Sequence, residues 1–175
     1  GIHLEGPYFS PAQCGAQPKE YLKNPCREEY KMIAEKYPFV KRWDLAPELD
    51  GALEMAGYLS ENGIIASAAH TDATAGQILE AAENGFTAAA HLFSGMSGVH
   101  RENGYRVGGA VEGCMLCDRI KTEVIGDGIH VPKELMLLAY KVKGNDKMCL
   151  VSDSSRGADL QESAEFMLGS KTTGV

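Results

Sequence analysis

The chain has 175 residues, of which 44% are apolar and 23% charged, and 17 basic against 24 acidic residues give a formal charge of −7. This composition is typical of a globular chain long enough to bury a core, and it argues against a disordered chain, a collagen or a coiled coil. The negative charge disfavours a nucleic-acid partner. No apolar run approaches the roughly 20 residues of a membrane span, so we expect no membrane partner either.

Short apolar runs alternate with helical patterns along the chain. The predicted strands, in chain order, cover residues 1–4, 40–45, 64–68, 86–90, 120–125 and 148–151. The predicted helices cover residues 27–36, 47–61, 73–83 and 132–141, and Thr71 is expected to cap the third of them. Asn62-Gly63 and Asn84-Gly85 indicate where two of the helices end. The glycine-rich stretch 94–113 is expected to be a long functional loop.

The predicted strands are continuously apolar rather than alternating. Continuous runs indicate burial on both faces, which is typical of a parallel sheet. Because strands alternate with helices, the connections should be right-handed crossovers, and the predicted fold class is α/β.

The five cysteines are odd in number and irregularly spaced. They make a poor disulfide framework and favour a reducing, cytoplasmic location. Cys114 and Cys117 form a lone C-x-x-C without the second pair that a structural zinc site needs, so we interpret them as plain buried thiols.

Ionisable side chains lie at or just beyond the C-terminal ends of the predicted strands. They are Glu5, His70, His91, Asp127, His130 and Asp153. In a (β/α)8 barrel such positions converge on one face and form the site. Two imidazoles and a carboxylate suit a zinc-type divalent ion with one position left open for water, whose pKa the ion lowers. Asp153 is the candidate that takes the proton of this water and returns it to a leaving group.

Each of these residues also has a structural interpretation. A single His near a strand end is more often a hydrogen-bonded loop residue than a ligand. Asp153 fits a helix N-cap as well as a catalytic base, and His130 fits a structural capping residue. His3 shares the face of Glu5, so we interpret it as a core residue or one that supports a ligand, whereas His100 is expected to be exposed.

Five short segments carry the recognisable motifs of the chain. They are GIHLEGPY at residues 1–8, AAHTDA at 68–73, AHLFSGM at 90–96, GDGIHV at 126–131 and LVSD at 150–153. In order and spacing they resemble the N-acetylglucosamine-6-phosphate deacetylase family of the amidohydrolase superfamily. The resemblance spans nearly the whole chain, and HLEGP together with DGxHV is a specific pair.

The resemblance implies that Glu5, His70 and His91 bind a divalent metal, zinc before iron or another ion, and that Asp153 is the catalytic proton acceptor and donor. It implies contacts to the substrate from a further set of residues: Ala16, Gln17, Ser94, Gly95, Arg101, Asp127, Gly128, Ile129 and His130. The reaction implied is hydrolysis of the N-acetyl amide of N-acetylglucosamine-6-phosphate to glucosamine-6-phosphate and acetate. Arg101 suits a phosphate and, in this family, can reach a neighbouring subunit's site, which implies a homodimer.

The chain departs from the family in places. Gln17 stands where some members have His, and Ser94-Gly95 replaces an Asn-Ala pair, changes that bear on substrate choice more than on metal binding. The family's chains are longer, and this one begins at Gly1 rather than Met, so we expect part of a longer protein.

Residues 1–175 are then the central and C-terminal part of a TIM-barrel-like (β/α)8 metal-dependent hydrolase, incomplete, with about six βα units and without the family's β-sandwich. Two alternatives remain open. One is a truncated or decayed relative that binds sugar phosphate or a partner chain without turnover. The other is a different hydrolase or deaminase of the superfamily.

Overall fold

The computed structural model describes residues 1–161, 165–168 and 171–174. Its strands, in chain order, are β1 (Ile2–Glu5), β2 (Val40–Leu45), β3 (Ile65–Ala68), β4 (Phe86–Ala89), β5 (His100–Glu102), β6 (Tyr105–Val107), β7 (Lys121–Ile125), β8 (Met148–Val151), β9 (Glu165–Leu168) and β10 (Lys171–Gly174). Six of them form one sheet in the order β1-β2-β3-β4-β7-β8, and every neighbouring pair is parallel. The predicted α/β class with a six-stranded parallel sheet is therefore confirmed.

Helices connect the strands of this sheet. They are α1 (Arg27–Lys36), α2 (Ala52–Glu61), α3 (Ala75–Glu83), α4 (Ala110–Leu116) and α5 (Lys133–Lys143), with a short 3₁₀ turn at Lys19–Tyr21. The larger apolar cluster is formed by buried side chains of the strands and helices, among them Trp43, Met55, Leu59, Ile78 and Phe86. A smaller cluster contains Phe9, Ala69 and Ala90. None of the helices in the described ranges is long and apolar enough to cross a membrane.

The sheet curls into a half-barrel, and an ion-pair network crosses its concave face. The Arg42 guanidinium of β2 contacts Glu123 of β7, although β3 and β4 lie between these two strands. The same guanidinium donates to Asp44 Oδ1 at 2.8 Å and to Ser67 Oγ at 3.0 Å. His3 Nε2 lies 2.7 Å from the other oxygen of the fully buried Asp44. His3 is thus a half-exposed supporting residue, not a core residue, and these five residues form what we call the Arg42 network.

Helix starts differ from the sequence prediction in two places. Thr74, not Thr71, caps α3, because its hydroxyl accepts the Gln77 backbone N–H while the Gln77 side chain accepts the Thr74 N–H. Helix α2 begins at Ala52 rather than near residue 47, since Gly51 adopts a left-handed conformation (φ 82°) just before it.

The glycine-rich stretch 94–113 is more ordered than predicted. It contains the antiparallel hairpin β5–β6 and the start of α4. Asn103 and Gly104 both have positive φ, 49° and 86°, which is the geometry of a two-residue hairpin turn. After β8 the described residues include a second hairpin, β9–β10, which the sequence analysis missed. The predicted domain end at Val175 lies outside the described residues.

Candidate metal centre

Three side chains meet where β1, β3 and β4 end. Glu5 is the last residue of β1, and His70 and His91 each follow their strand by two residues. The Nε2 atoms of His70 and His91 lie 3.1 and 3.3 Å from Glu5 Oε1, and the possible ligand atoms of all three residues lie within 4.8 Å of one another. Both imidazoles are buried and the carboxylate is half-exposed. Two nitrogens and one oxygen with an accessible side match the donor set of a catalytic zinc site.

Backbone carbonyls orient both imidazoles. His70 Nδ1 lies 2.8 Å from the Gln13 carbonyl oxygen, and His91 Nδ1 lies 3.1 Å from the Ser94 carbonyl oxygen. A carbonyl only accepts, so each Nδ1 donates its proton, and once a ring is neutral its unprotonated nitrogen is the Nε2 beside Glu5. This is the tautomer that a metal ion requires, and it shows that the three residues fit a divalent cation.

Three of the candidate residues have an uncommon backbone conformation. His70, His91 and Asp153 have φ values of 45°, 31° and 49°, in the left-handed region that glycine usually occupies. Such strain persists where the surrounding structure enforces it, and it clusters at functional sites. In each case the residue lies two positions after a strand, so that the chain turns sharply at the sheet edge where the cavity-lining side chains gather.

A cavity of about 430 Å³ opens above the three candidate ligands. Predicted site residues on its wall are Glu5, Ala16, Gln17, His70, His91, Ser94, Gly95, His130 and Asp153. Lining residues that the sequence analysis missed are Gly15, Pro18, Ile125, Ser154 and Ser155. These five are small, apolar or hydroxylic, and only their adjacency to the motifs could have suggested them. Asp153 precedes no helix in the described part of the chain, so its interpretation as a helix N-cap is wrong.

The turn after β7 holds His130 toward the cavity. Asp127 Oδ1 accepts the backbone N–H groups of Ile129 and His130 at 2.8 and 3.0 Å, and Asp127 Oδ2 lies 2.6 Å from His130 Nδ1. The hydrogen bond from His130, followed by those two N–H groups, lowers the pKa of Asp127 to about 2. Pro132, and not His130, occupies the N-cap position of α5, so the capping interpretation of His130 is wrong.

Four predicted substrate contacts are described residues that do not line this cavity. Asp127, Gly128 and Ile129 form the turn behind His130, and Ile129 is 84% exposed. Arg101 lies on the exposed hairpin strand β5, opposite Arg106.

The charge of Glu5 couples the three candidate ligands. Hydrogen bonds from His70 and then His91 hold the pKa of the Glu5 carboxyl far below its usual range. For His91, burial acts to lower the pKa, but the hydrogen bond and charge of Glu5, with a smaller effect of Asp153, raise it above its ordinary value overall. A proton on His91 therefore persists to a higher pH than on a free imidazole.

This shift predicts how metal affinity depends on pH. A metal binds only the neutral imidazole, so a proton on His91 competes with it. Because the pKa of His91 is raised, we expect affinity for Zn²⁺ to fall steadily as the pH is lowered from about 8 to about 6. Titration against a chromophoric chelator at each pH measures this, with His100→Ala as the control because that imidazole is exposed and outside the cavity. An affinity independent of pH in this window would contradict the coupling.

Gly95 should tolerate no side chain. A Cβ atom there would lie 2.7 Å from His70 Nδ1 and 3.2 Å from the Gln13 carbonyl oxygen, and the residue has φ of 58°. We expect Gly95→Ala to rotate the imidazole and weaken metal binding by about 10- to 100-fold, measured by the same titration. Gly63→Ala is the matched control, because Gly63 has φ of 68° and nothing within 4 Å, so it adds backbone strain without a clash. Equal metal affinities of the two variants would show that the close approach does not matter.

Comparison with known proteins gives relatives along the whole chain, although no family model matches. N-acetylglucosamine-6-phosphate deacetylase of Bacillus subtilis (strain 168) is 36% identical over 174 residues, which cover 99% of this chain and 43% of that protein. N-acetylgalactosamine-6-phosphate deacetylase of Escherichia coli O157:H7 is 30% identical over 171 residues, 97% of this chain and 44% of that protein. The chain thus spans less than half the length of the curated relatives it matches.

Solved structures agree with these relatives. A variant of N-acetyl-D-glucosamine-6-phosphate deacetylase from Mycobacterium smegmatis, in complex with N-acetyl-D-glucosamine-6-phosphate, has a TM-score of 0.93 at 28% identity and is matched over 100% of this chain and 45% of its own. The Pasteurella multocida N-acetylglucosamine-6-phosphate deacetylase has a TM-score of 0.89 at 32% identity, over 100% of this chain and 44% of its own. The half-barrel is therefore part of the TIM-barrel fold of these deacetylases.

Proposed function

Because this chain is homologous along its whole length to the N-acetylglucosamine-6-phosphate deacetylases, we propose that the complete protein is an amide hydrolase of amino-sugar metabolism. Its substrate is N-acetylglucosamine-6-phosphate, and its products are glucosamine-6-phosphate and acetate. The observation that carries this proposal is the meeting of Glu5, His70 and His91 on one cavity whose wall also holds Asp153.

Each candidate residue has a role in this reaction. Glu5, His70 and His91 hold a divalent ion, in our proposal zinc, which when bound supplies a water molecule acidic enough to lose a proton near neutral pH. Asp153 accepts that proton and later donates it to the amine that leaves the acetyl group. The buried imidazoles and the half-exposed carboxylate leave one side of the group facing the cavity, where the substrate enters.

The cavity has room for one sugar phosphate, since small-ligand sites occupy roughly 300–1,000 Å³. Gln17 lines the cavity, and in our proposal its amide donates to the acetyl carbonyl, although unlike an imidazolium it carries no charge. Ser94, Gly95 and Ala16 shape the wall beside it, and His130, held by Asp127, orients the sugar or its phosphate.

Arg101 fits a role at a second active site. It lies on an exposed hairpin outside this cavity, which supports the proposal that it binds the phosphate in a neighbouring subunit of a homodimer. The Gly128-Ile129 turn is the other proposed contact, made through its backbone.

Five free cysteines support a cytoplasmic location.

A second substrate has specific support. Two curated relatives, 30% and 32% identical, are named N-acetylgalactosamine-6-phosphate deacetylases, and Gln17 and Ser94-Gly95, which differ from the family motifs, lie in the cavity wall. The two substrates differ at one sugar carbon, so the same ligands and the same proton acceptor would serve both.

The test combines metal analysis with acetate release from the complete gene product. We expect one or more divalent ions per chain and acetate from N-acetylglucosamine-6-phosphate, with N-acetylgalactosamine-6-phosphate and unphosphorylated N-acetylglucosamine as comparison substrates. Glu5→Ala and His70→Ala should lose the metal, whereas His100→Ala, an exposed imidazole outside the cavity, should keep it. Metal-loaded protein that releases no acetate from any of these sugars would contradict the proposed reaction. Retention of the metal by both ligand variants would assign Glu5 and His70 structural roles.

A further inference from the structure

Glu48 lies between β2 and α2, and it neither lines the cavity nor belongs to the three candidate ligands. We propose that Glu48 is a positioning residue that fixes His70 for metal binding. The inference rests on the proposed metal site. It assigns a task to a carboxylate that no sequence motif singled out.

The two oxygens of Glu48 bind two consecutive residues that follow His70. The Thr71 hydroxyl donates to Glu48 Oε2 at 2.5 Å, and the Asp72 backbone N–H donates to Glu48 Oε1 at 2.7 Å. Thr71 is fully buried, and its oxygen also accepts the Ala73 N–H at 3.0 Å. The carboxylate therefore ties the Thr71 side chain and the Asp72 backbone to the segment between β2 and α2.

This fastening acts where the backbone is strained. His70 has φ of 45°, a conformation that persists in a non-glycine residue only when its neighbours are firmly held. Neutral backbone bonds hold the turn from two sides, Ser10 N–H to the His70 carbonyl at 2.9 Å and Thr71 N–H to the Gly95 carbonyl at 3.0 Å. Glu48 adds a third point of attachment, because its ionised carboxylate accepts from Thr71 and Asp72. Such charge-assisted hydrogen bonds are roughly twice as strong as neutral ones.

The same contacts continue to the imidazole itself. The Asp72 side chain accepts a hydrogen bond from Gln13 Nε2 at 2.9 Å, and the carbonyl of Gln13 accepts from His70 Nδ1 at 2.8 Å. Glu48, Asp72 and Gln13 thus form a chain of hydrogen bonds that ends on the metal-binding ring. Movement of Asp72 would shift the carbonyl that sets the direction of His70 Nε2.

His91 provides the internal contrast. The turn at His91 is closed locally by Ser94, three residues further on. The Ser94 N–H donates to the His91 carbonyl at 2.9 Å, and the Ser94 carbonyl accepts from His91 Nδ1. Within the described ranges no side-chain carboxylate binds residues 92–94. Of the two imidazoles, His70 alone depends in this way on a distant acidic side chain, which is why we assign the positioning role to Glu48.

The experiment uses Co²⁺ as the probe, in the complete gene product after removal of its metal. The cobalt dissociation constant is measured by chelator competition, and the visible absorption of bound cobalt reports the geometry of its ligands. We expect Glu48→Ala to weaken cobalt binding by about 10- to 100-fold and to change the absorption spectrum. Glu48→Gln retains one acceptor oxygen and should restore part of the affinity. Asp50→Ala, an exposed carboxylate of the same segment, should match the parent protein.

The outcomes separate this inference from the proposed function. Folded Glu48→Ala with the parent's dissociation constant and spectrum would overturn the positioning role, whatever its thermal stability. If Glu48→Ala does not fold, Glu48→Gln carries the test, and parental affinity in that variant overturns the role equally. A parent protein that binds no cobalt would overturn the metal site and, with it, this inference. A parent that binds cobalt but releases no acetate would overturn only the proposed reaction.

Discussion

Replacing Asp153 by Asn is expected to lower kcat for acetate release by about 10²–10⁴-fold while the metal content stays unchanged. Asp153 lines the cavity beside the three candidate ligands without belonging to them, and its charge contributes to the raised pKa of His91. Asn has nearly the same shape, but it cannot accept a proton from water or return one to the amine. The measurement is steady-state release of acetate by metal-loaded protein, with metal analysis of the same sample.

Asp146→Asn is the matched control for this variant. Asp146 is an exposed carboxylate that precedes β8 at the strand's other end, and it is not part of the cavity wall. An unchanged kcat in Asp153→Asn would rule out proton transfer by Asp153. Loss of the metal in that variant would instead make Asp153 a ligand, which would require a different proton acceptor.

Arg42→Met is expected to lower the free energy of unfolding by roughly 3–5 kcal/mol, because it leaves the buried Asp44 carboxylate and the partly buried Glu123 carboxylate without their cation. Arg42 is 14% exposed, Asp44 is fully buried and Glu123 is 22% exposed, so water reaches this network poorly. The guanidinium also joins β2 to β7 across the concave face, so its loss removes a connection between strands that are not neighbours. Urea denaturation of the complete gene product measures the change.

Arg119→Met supplies the comparison for Arg42→Met. Arg119 Nη1 lies 2.7 Å from Glu83 Oε2, but both side chains are more than 60% exposed, and such surface pairs contribute at most about 1 kcal/mol. If the two variants lose equal stability, burial of the Arg42 network does not contribute to the free energy of unfolding.

Much of the fold and of the candidate site could be predicted from local patterns. Short runs containing apolar residues, set between helical patterns, located all six strands of the sheet. The expected apolar continuity is wrong for β2 and β7, which carry Arg42, Asp44 and Glu123 on the sheet. Parallel strands bring their carboxyl ends to one edge, so the placing of Glu5, His70 and His91 after different strands was enough to predict that they meet.

What could not be predicted depends on contacts distant in sequence. Arg42 and Glu123 are 81 residues apart, and Glu48 and Thr71 are 23 residues apart, so neither pair leaves a periodic pattern. The hairpin β5–β6 was missed for a different reason. Its strands have three residues each, and the abundance of glycine around them favours a loop. The Asn103-Gly104 dipeptide between them is a recognised hairpin turn.

The left-handed backbone at Asp153 implies a conflict between thermal stability and catalytic turnover. In the left-handed conformation, a residue with a side chain costs roughly 1–2 kcal/mol relative to glycine, which adopts it freely. Asp153 is exposed, so trimming its side chain opens no void in the interior. On the role that we propose for Asp153, a glycine at this position would relieve the backbone strain and remove the proton acceptor at once. Selection for heat resistance alone would therefore favour discarding the aspartate, and only selection for turnover would retain it.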